Sequence, residues 1–432
     1  MKRTYIKQII VEQECRISGW VEKVRDQKTM QFVVLKDTTG SIQITIEKEK
    51  LPQIAAQISK LTRGSYVNFV GIAFKSEFVK LNGIEFIPSD IEIESISEEL
   101  PITTDSSQDL KLEYRWIDLR DDKKRLIFEI RTFIEAKMRE YFLNNGFIEI
   151  HSPKISAQSS EGGAEVFQIQ YYDQKAYLTQ SPQFYKQMAM AAGFDKVFEV
   201  TPIYRAERSY TARHTAEAVC IDFEVAGVRS HHDIMDIEES WIIFVLNEVS
   251  KKYGTIIEEA FGSKVLIPTK IPRLKLSEVF DIFKTAYGID KPESEQLDLD
   301  PDGEKLICEY AKEHFDSDFV FVTDYPTKAR AFYSKRQSED STHSLTFDML
   351  YRGWELNSGA VRETDYKKLK SQIEDKGIDS SKMEGYLSFF RYGCPIHGGL
   401  GFGIDRFVAK LLNQQSIKDT IFIFRGPNHI KP

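Results

Sequence analysis

Residues 204–224, YRAERSYTARHTAEAVCIDFE, indicate how the larger part of the chain is built. The two ends of this stretch lie in strand-like runs, 196–206 and 218–228, which a charged connection joins. Similar runs occur at 147–153 (FIEIHSP), 165–172 (EVFQIQYY), 319–326 (FVFVTDYP) and 344–356 (SLTFDMLYRGWEL). Because strands and helices do not alternate regularly, the pattern favours an α+β domain, with an antiparallel sheet flanked by helices, over a doubly wound domain.

Two helices are predicted beside this sheet. Residues 124–145 are amphipathic, with Ile127, Ile130 and Ile134 at helical spacing and Gly146 as the end signal. A second helix, 404–413, follows a predicted glycine turn, GGLGFG at 398–403. Only 26 residues follow Arg406, too few for the βαβ unit of a dinucleotide-binding fold. The turn is instead expected to let a flat ligand approach the backbone, with Arg406 stacking on a purine.

The N-terminal part reads as a separate, strand-rich module. Five strands are predicted at 16–24, 30–35, 41–46, 65–74 and 84–93, with a helix at 51–61 between the third and fourth. That order is typical of a five-stranded OB-fold barrel, whose face commonly binds single-stranded nucleic acid. A polar stretch at 94–108 follows. The predicted domains are an OB-fold module at 1–100, a linker or hinge at 101–120, and a catalytic domain at 121–432.

Charge and composition set further limits. The chain has 432 residues and a formal charge of −8, so a protein that coats nucleic acid with its whole surface is disfavoured. Residues 1–89 nevertheless carry 14 Lys and Arg against 9 Asp and Glu, which suits a module that meets a polyanion. No apolar run of 18 residues occurs, so we expect a cytoplasmic protein without a membrane partner. The four cysteines are far apart, which predicts neither disulfides nor a zinc site.

Several motifs together resemble the class II aminoacyl-tRNA synthetases. Tyr204–Glu207, Arg213–His214 and Asp222–Glu224 resemble motif 2, GFGIDR at 401–406 resembles motif 3, and Pro153 resembles the motif 1 proline at a dimer interface. The motifs stand in the family's order, and the OB-like module matches the anticodon-binding domain of the aspartyl, asparaginyl and lysyl subgroup. The resemblance implies a homodimer that uses ATP, Mg²⁺ and tRNA, with DNA not among its partners.

Within the subgroup, the chain is most similar to the aspartyl enzymes of archaeal and eukaryotic type. The strings that carry this similarity are SEGGAE at 160–165, QSPQFYKQ at 180–187, and the segment from Tyr392-Gly393 to His397-Gly398-Gly399. Asparaginyl enzymes lack a lysine at the position of Lys186 and have Glu-Pro-Glu where this chain has Asp222-Phe223-Glu224. The chain departs from the family at Ala218, where many relatives have an adenine-stacking phenylalanine, and at Asn357, where they have serine.

The resemblance and the chemistry of adenylate formation together assign roles at the ATP end. Attack of a carboxylate on the α-phosphate brings two anions together, so cations are needed more than a base. Arg205 is expected to bridge the carboxylate and the α-phosphate, and it is a candidate catalytic residue with Arg406. Glu355 and Ser358 are the candidate Mg²⁺ ligands. The full predicted ATP-binding set is Arg205, Glu207, Arg213, His214, Thr215, Glu355, Gly403, Ile404, Asp405 and Arg406.

Recognition of aspartate requires cations for its side-chain carboxylate, and the family pattern places Lys186 and Arg362 there. Asparagine would leave these charges unmatched, which costs several kcal/mol when they are buried. The candidates for binding the substrate ammonium are Glu161, Gln183 and Asp222. The full predicted amino-acid-binding set is Glu161, Ser181, Gln183, Lys186, Arg205, Asp222, Ser358 and Arg362.

The predicted activity is that of an aspartate–tRNA ligase, which makes aspartyl-adenylate and transfers aspartate to the terminal adenosine of tRNA(Asp). Phe32, Gln43 and Glu85 of the OB-like module are the candidate anticodon contacts, Phe32 by base stacking. Glu22 stands where some relatives have a residue linked to the third anticodon base, and whether tRNA(Asn) is also charged stays open. Two alternatives remain: an asparagine–tRNA ligase, and a tRNA-independent paralogue that keeps the adenylate chemistry.

Overall fold

The computed structural model of the protein describes residues 1–157, 165–208, 211–338 and 341–431. The chain divides into two compact units, Met1–Asp122 and Lys123–Pro432. No described helix is both long enough and apolar enough to cross a membrane. All four cysteines are free thiols, as their spacing predicts.

The first unit is built on a closed barrel with strand order β1-β2-β3-β5-β4. Its elements are β1 (Glu14–Asp26), β2 (Met30–Lys36), β3 (Ser41–Glu47), α1 (Pro52–Ile58), β4 (Tyr66–Lys75) and β5 (Ile84–Ser95). Alternation explains the closure, because Ile42, Ile44 and Ile46 point inward and are 3% exposed or less. The five predicted strands, the helix after the third and the OB-fold are confirmed.

Two short helices follow the barrel inside the predicted linker at 101–120. They are α2 (Gln108–Glu113) and α3 (Arg115–Asp118). Ser107 caps α2 by accepting a hydrogen bond from the Leu110 amide. The Arg115 guanidinium is buried and bonds to the Asp118 carboxylate at 2.6 Å. The segment therefore has regular structure of its own, which its polar composition did not predict.

The second unit is organised by an eight-stranded sheet with order β12-β13-β14-β15-β16-β11-β10-β6. The interior pairs are antiparallel as predicted, whereas the outermost pairs, β6 with β10 and β12 with β13, are parallel. Strands β7, β9 and β8 form a separate small sheet. The strands are β6 (Ile148–Glu149), β7 (Ile155–Ser156), β8 (Gln168–Tyr171), β9 (Gln174–Leu178), β10 (Lys196–Tyr204), β11 (Glu217–Ala226), β12 (Arg273–Lys275), β13 (Phe319–Thr323), β14 (Thr346–Tyr351), β15 (Trp354–Val361) and β16 (His397–Gly403).

Helices pack on this sheet through apolar stripes. Residues of α4, α6 and α11 share one buried core cluster with β11, β14 and β16. The predicted helix at 124–145 is confirmed as α4, and Gly146 ends it with a φ of +78°. The helices are α4 (Asp122–Asn144), α5 (Gln183–Ala191), α6 (His231–Phe261), α7 (Leu276–Tyr287), α8 (Pro301–Phe315), α9 (Tyr366–Asp375), α10 (Glu384–Leu387) and α11 (Ile404–Leu411).

The predicted glycine turn at 398–403 is wrong. These residues form β16, which pairs with β11 on one side and β15 on the other. Glycine is needed there for close approach: a Cβ on Gly399 would lie 2.0 Å from the Phe223 carbonyl oxygen. One on Gly401 would lie 3.0 Å from the Asp222 carboxylate. The glycines therefore clear the middle of the sheet surface, and the helix α11 begins directly after them.

Candidate active site

A cleft of about 510 Å³ lies over β10, β11, β15 and β16. The loop between β10 and β11 lines one end, and the start of α11 lines the floor. Nearly all the described residues predicted for ATP and amino-acid binding line this cleft, although they are spread over more than 200 positions of the sequence. Those that do so are Ser181, Gln183, Arg205, Glu207, Arg213, His214, Thr215, Asp222, Glu355, Ser358, Arg362, Gly403, Asp405 and Arg406. Glu161 falls outside the described residues.

Arg205 is the cation most available to an anion. Its side chain is exposed in the cleft, and its guanidinium makes no hydrogen bond or ion pair with any residue that the structure describes. Arg213, by contrast, bonds to Glu304 of α8 at 2.6 Å. His214 shares a hydrogen bond with Thr211, and burial together with Arg406 lowers its pKa. The available Arg205 guanidinium makes this end of the cleft suitable for phosphate groups.

Arg406 reaches back across the cleft floor to β15. Its Nη1 donates to the backbone carbonyl of Glu355 at 2.8 Å. Desolvation of the Glu355 carboxyl group, followed by the Asp348 charge, raises its pKa to about 7, and 38% of the side chain remains accessible. A carboxylate held near other carboxylates in this way binds a cation favourably.

The candidate Mg²⁺ ligands lie beside an ion pair that the sequence did not predict. Ser358 Oγ donates to Asp348, which lies opposite it on β14. Arg330 Nη1 donates to Asp348 Oδ1 at 2.9 Å and to Ser358 Oγ at 3.0 Å. Glu355 and Ser358 offer hard oxygen donors, as Mg²⁺ prefers. No group of three or more His, Cys, Asp or Glu side chains suited to a metal occurs in the described part of the chain.

Three residues of the predicted ATP set have side chains committed to the protein itself. Ile404 is fully buried in the core of the second unit. The Asp405 carboxylate accepts hydrogen bonds from Arg131 of α4 and from the Val219 amide. The Thr215 hydroxyl donates to backbone carbonyl oxygens. The hydrogen bonds of Asp405 and Thr215 therefore tie α4, β11 and the loop between β10 and β11 together at the edge of the cleft.

At the amino-acid end, the two predicted cations are already paired. Lys186 of α5 has no exposed surface, and its Nζ lies 2.8 Å from Asp222 Oδ2 and 3.5 Å from Glu224 Oε2. Arg362 Nε donates to Glu224 Oε1 at 2.8 Å. Asp222 and Arg362 line the cleft, whereas Lys186 lies beneath it. Lys186 of α5, the two carboxylates of β11 and Arg362, which follows β15, therefore form a balanced cluster of two cations and two carboxylates.

At the amino-acid end of the cleft, the sequence analysis assigned no role to Glu224 and did not predict the contacts of Gln183 and Ser181. Glu224 holds Arg362, and the Arg362 cation in turn is the main cause that lowers the Glu224 pKa against the effect of burial. The period-2 alternation of β11 gave the signal, because Asp222 and Glu224 lie on the same face. Gln183 lines the cleft, and its side-chain Nε2 has no hydrogen-bond partner in the described structure. The backbone N–H of Gln183 donates a hydrogen bond to Ser181 Oγ at 3.0 Å.

The candidate anticodon contacts lie together on the outer surface of the barrel. Gln43 of β3 lies opposite Glu85 of β5. On the other side of β3, Thr45 lies opposite Phe32 of β2. Phe32 is half-buried and lies outside the barrel's core cluster. The sequence reading missed two further aromatics: Phe74, opposite Glu85 and 38% exposed, and Phe78, in the β4–β5 loop and 97% exposed. OB-folds bind oligonucleotides through this strand face and this loop.

The fold and these sites define a class, and comparison with known proteins agrees. Residues 107–425 match the family described as tRNA synthetases class II (D, K and N), and residues 15–94 match the OB-fold nucleic acid binding domain. The chain belongs to this family of class II tRNA synthetases.

The similar proteins are more specific. The aspartate–tRNA(Asp/Asn) ligase of Aeropyrum pernix is 35% identical and the aspartate–tRNA(Asp) ligase of Pyrococcus furiosus 36% identical, each over all of both chains. Among solved structures, asparaginyl-tRNA synthetase from Pyrococcus horikoshii with asparaginyl-adenylate covers all of both chains at 29% identity and a TM-score of 0.91. Aspartyl tRNA synthetase from Entamoeba histolytica has 26% identity and a TM-score of 0.87, covering all of this chain and 93% of that one.

Proposed function

We propose that the protein is an aspartate–tRNA ligase: it joins L-aspartate to AMP from ATP, then transfers the aspartyl group to the terminal adenosine of tRNA(Asp). The observation that carries the choice of aspartate is the charge cluster of Lys186, Arg362, Asp222 and Glu224. When Asp222 binds the substrate ammonium, the other three groups keep one net positive charge. Aspartate supplies the matching carboxylate, whereas asparagine leaves a buried charge without a partner.

The chemistry at the other end of the cleft follows from its cations. Arg205 meets the α-phosphate and the attacking carboxylate, because its guanidinium has no described partner and never deprotonates. Arg406 stacks on the base, which relies more on this residue because Ala218 stands where many relatives have an adenine-stacking phenylalanine. Mg²⁺, held by Glu355 and Ser358, supplies neutralisation of the triphosphate charge when it is bound. Lowering the charge repulsion between two anions is the main catalytic requirement of this step.

We further propose that the OB-fold module at 1–100 binds the anticodon, with Phe32 stacking on a base and Gln43 and Glu85 bonding to base edges. The positive surplus of the module supports this role, because phosphate contacts dominate affinity for nucleic acid. The segments 101–120 and 121–432 act as hinge and catalytic domain of the same cytoplasmic enzyme.

The same enzyme is proposed to act as a homodimer. Large apolar side chains are exposed on and around the short strands β6, β7 and β8 that flank Pro153: Leu143, Ile148, Ile155, Tyr171 and Tyr172 are each at least 43% exposed. Exposed apolar groups gathered on one region mark an interaction surface. Light scattering of the wild type and of Ile148→Glu tests this, and a monomeric wild type contradicts it.

Charging of total tRNA with labelled aspartate and labelled asparagine tests the function directly. Aspartate incorporation alone supports the proposal, and purified tRNA(Asp) and tRNA(Asn) then show whether one or both are charged. The similarity to asparaginyl-tRNA synthetase makes asparagine–tRNA ligase the second candidate, and asparagine-dependent pyrophosphate exchange would establish it. Adenylate formation without any tRNA charging would identify a tRNA-independent paralogue.

A further inference from the structure

Glu355 and Ser358 pose a geometric problem. They are three positions apart on β15, yet both have side chains accessible at the cleft, whereas the two residues between them are buried. Successive side chains of a regular strand point to opposite faces, so residues separated by three positions face opposite ways. A regular β15 would therefore turn one of the two oxygen donors away from the nucleotide end.

A β-bulge resolves the problem. Met349 lies opposite Asn357, but the next residue of β14, Leu350, lies opposite Glu355. Leu356 is thus an extra residue without a partner on β14, which shifts the alternation by one. Accordingly the neighbours Leu356 and Asn357 are both buried, at 2% exposure each.

Two buried side chains fasten this bulge. Asn357 Oδ1 accepts a hydrogen bond from the Met349 amide at 3.1 Å, directly at the irregularity. Asn357 Nδ2 donates to Glu238 Oε2 of α6 at 3.2 Å. Helix α6 therefore fixes the Asn357 amide, and that amide fixes the bulged pair of strands.

Burying the Glu238 carboxyl group at this position costs free energy. It has no exposed surface, and its second carboxyl oxygen finds no hydrogen-bond partner among the described atoms. Burial raises its pKa well above the ordinary value. An apolar residue would fill the same space without this desolvation cost, so packing alone does not account for a glutamate here.

We propose that Glu238 and Asn357 are positioning residues for the magnesium–triphosphate end of the cleft: their buried hydrogen bond holds the bulge that puts Glu355 and Ser358 on one face. The inference rests on the proposed function, because it concerns how that function's nucleotide is held. It also gives a role to Asn357, which stands where relatives have serine.

Three variants test the idea. Glu238→Gln keeps the volume and an acceptor oxygen for Asn357, whereas Glu238→Leu removes the acceptor. Ile242→Ala is the matched control, since it opens the core one helical turn further along α6 and loses stability while it keeps both hydrogen bonds of Asn357. Two readouts are taken for each: hydrogen exchange of peptides that contain Met349 and residues 355–358, and ATP affinity with Mg²⁺ and with EDTA.

In Glu238→Leu we expect faster amide hydrogen exchange in these peptides. The factor by which Mg²⁺ increases the ATP affinity should be about tenfold smaller than in the wild type. The ATP affinity of this variant in EDTA and its aspartate KM should stay within about twofold of wild type. Glu238→Gln should behave as wild type, and Ile242→Ala should lower the melting temperature without either local effect. Glu238→Leu that keeps the exchange pattern and the Mg²⁺ gain, or Ile242→Ala that reproduces its losses, overturns the inference.

The hydrogen-exchange arm needs no nucleotide. If the wild type forms no adenylate, the proposed function fails, while the exchange of the Met349 peptides in Glu238→Leu still decides whether the pair holds the bulge. Unchanged exchange in that variant overturns the inference even when the enzyme activates aspartate.

Discussion

Replacing Lys186 by methionine is expected to separate the recognition of aspartate from the binding of ATP. The Lys186 ammonium is fully buried, pairs with Asp222 and Glu224, and donates to the Leu400 carbonyl at 2.9 Å. At a binding interface, removing one partner of a buried, hydrogen-bonded charge pair costs about 2–5 kcal/mol of binding free energy. Since about 1.4 kcal/mol is a factor of ten, kcat/KM for aspartate should fall by more than about tenfold.

The assay is pyrophosphate exchange with aspartate varied at saturating ATP, and with ATP varied at saturating aspartate. The ATP KM should change by less than about threefold, because Lys186 lies beneath the amino-acid end of the cleft, away from Arg205 and Arg406. The preference for aspartate over asparagine should shrink with the lost charge. An unchanged preference, or a loss confined to ATP, would refute the charge-balance reasoning.

Stability supplies the control. Lys186→Met leaves two buried carboxylates facing Arg362 alone, and the thermal midpoint should fall. Adding Asp222→Asn restores the charge balance and should recover part of the lost thermal midpoint without recovering activity.

The pH dependence of this stability difference has a definite sign. In the wild type the Glu224 pKa is lowered, mainly by Arg362 and then by Lys186, so its stabilisation is present above the ordinary glutamate pKa and is lost as the pH falls through the lowered value. The stability gap between wild type and variant should therefore stay constant from pH 7 down to the ordinary glutamate pKa and narrow only as the pH falls below it.

The remaining predictions concern other parts of the protein. Arg205→Ala should abolish adenylate formation, as measured by pyrophosphate exchange, while its melting temperature stays at the wild-type value; exchange at the wild-type rate would contradict its role at the phosphate. Phe32→Ala should raise the KM for tRNA by about tenfold with pyrophosphate exchange unchanged, because a stacked base contributes about 1–3 kcal/mol; normal charging, or an unfolded module in circular dichroism, would instead indicate a structural phenylalanine. The pKa of Glu355 is raised to about 7, so the protonated carboxyl group stabilises the nucleotide-free fold, and this stabilisation is lost as the pH rises from the ordinary glutamate pKa toward 7. Glu355→Gln should flatten the plot of melting temperature against pH in this range. A plot identical to that of the wild type would refute the assignment.

Features that depend on neighbouring residues could be predicted from the amino-acid sequence. Alternation at Ile42, Ile44 and Ile46 predicts an inward barrel face wherever the strand lies. The helical period of α4 and its glycine stop are equally local. The motifs around Arg205 and Arg406 name the chemistry of the cleft, because few residue types can meet phosphate and carboxylate together.

Features that arise from contacts between residues distant in the sequence became visible only in the tertiary structure. The glycines of 398–403 predict a turn by composition, but between β11 and β15 they form a strand whose missing side chains open the cleft. Lys186 meets Asp222 and Glu224 only because α5 packs beneath β11. The bulge at Leu356 arises from an amide of β14 and a glutamate of α6 that lie 8 and 119 residues from Asn357. Local patterns carry no information about such pairings, since a buried charge or a shifted register is stable only when its distant partner is in place.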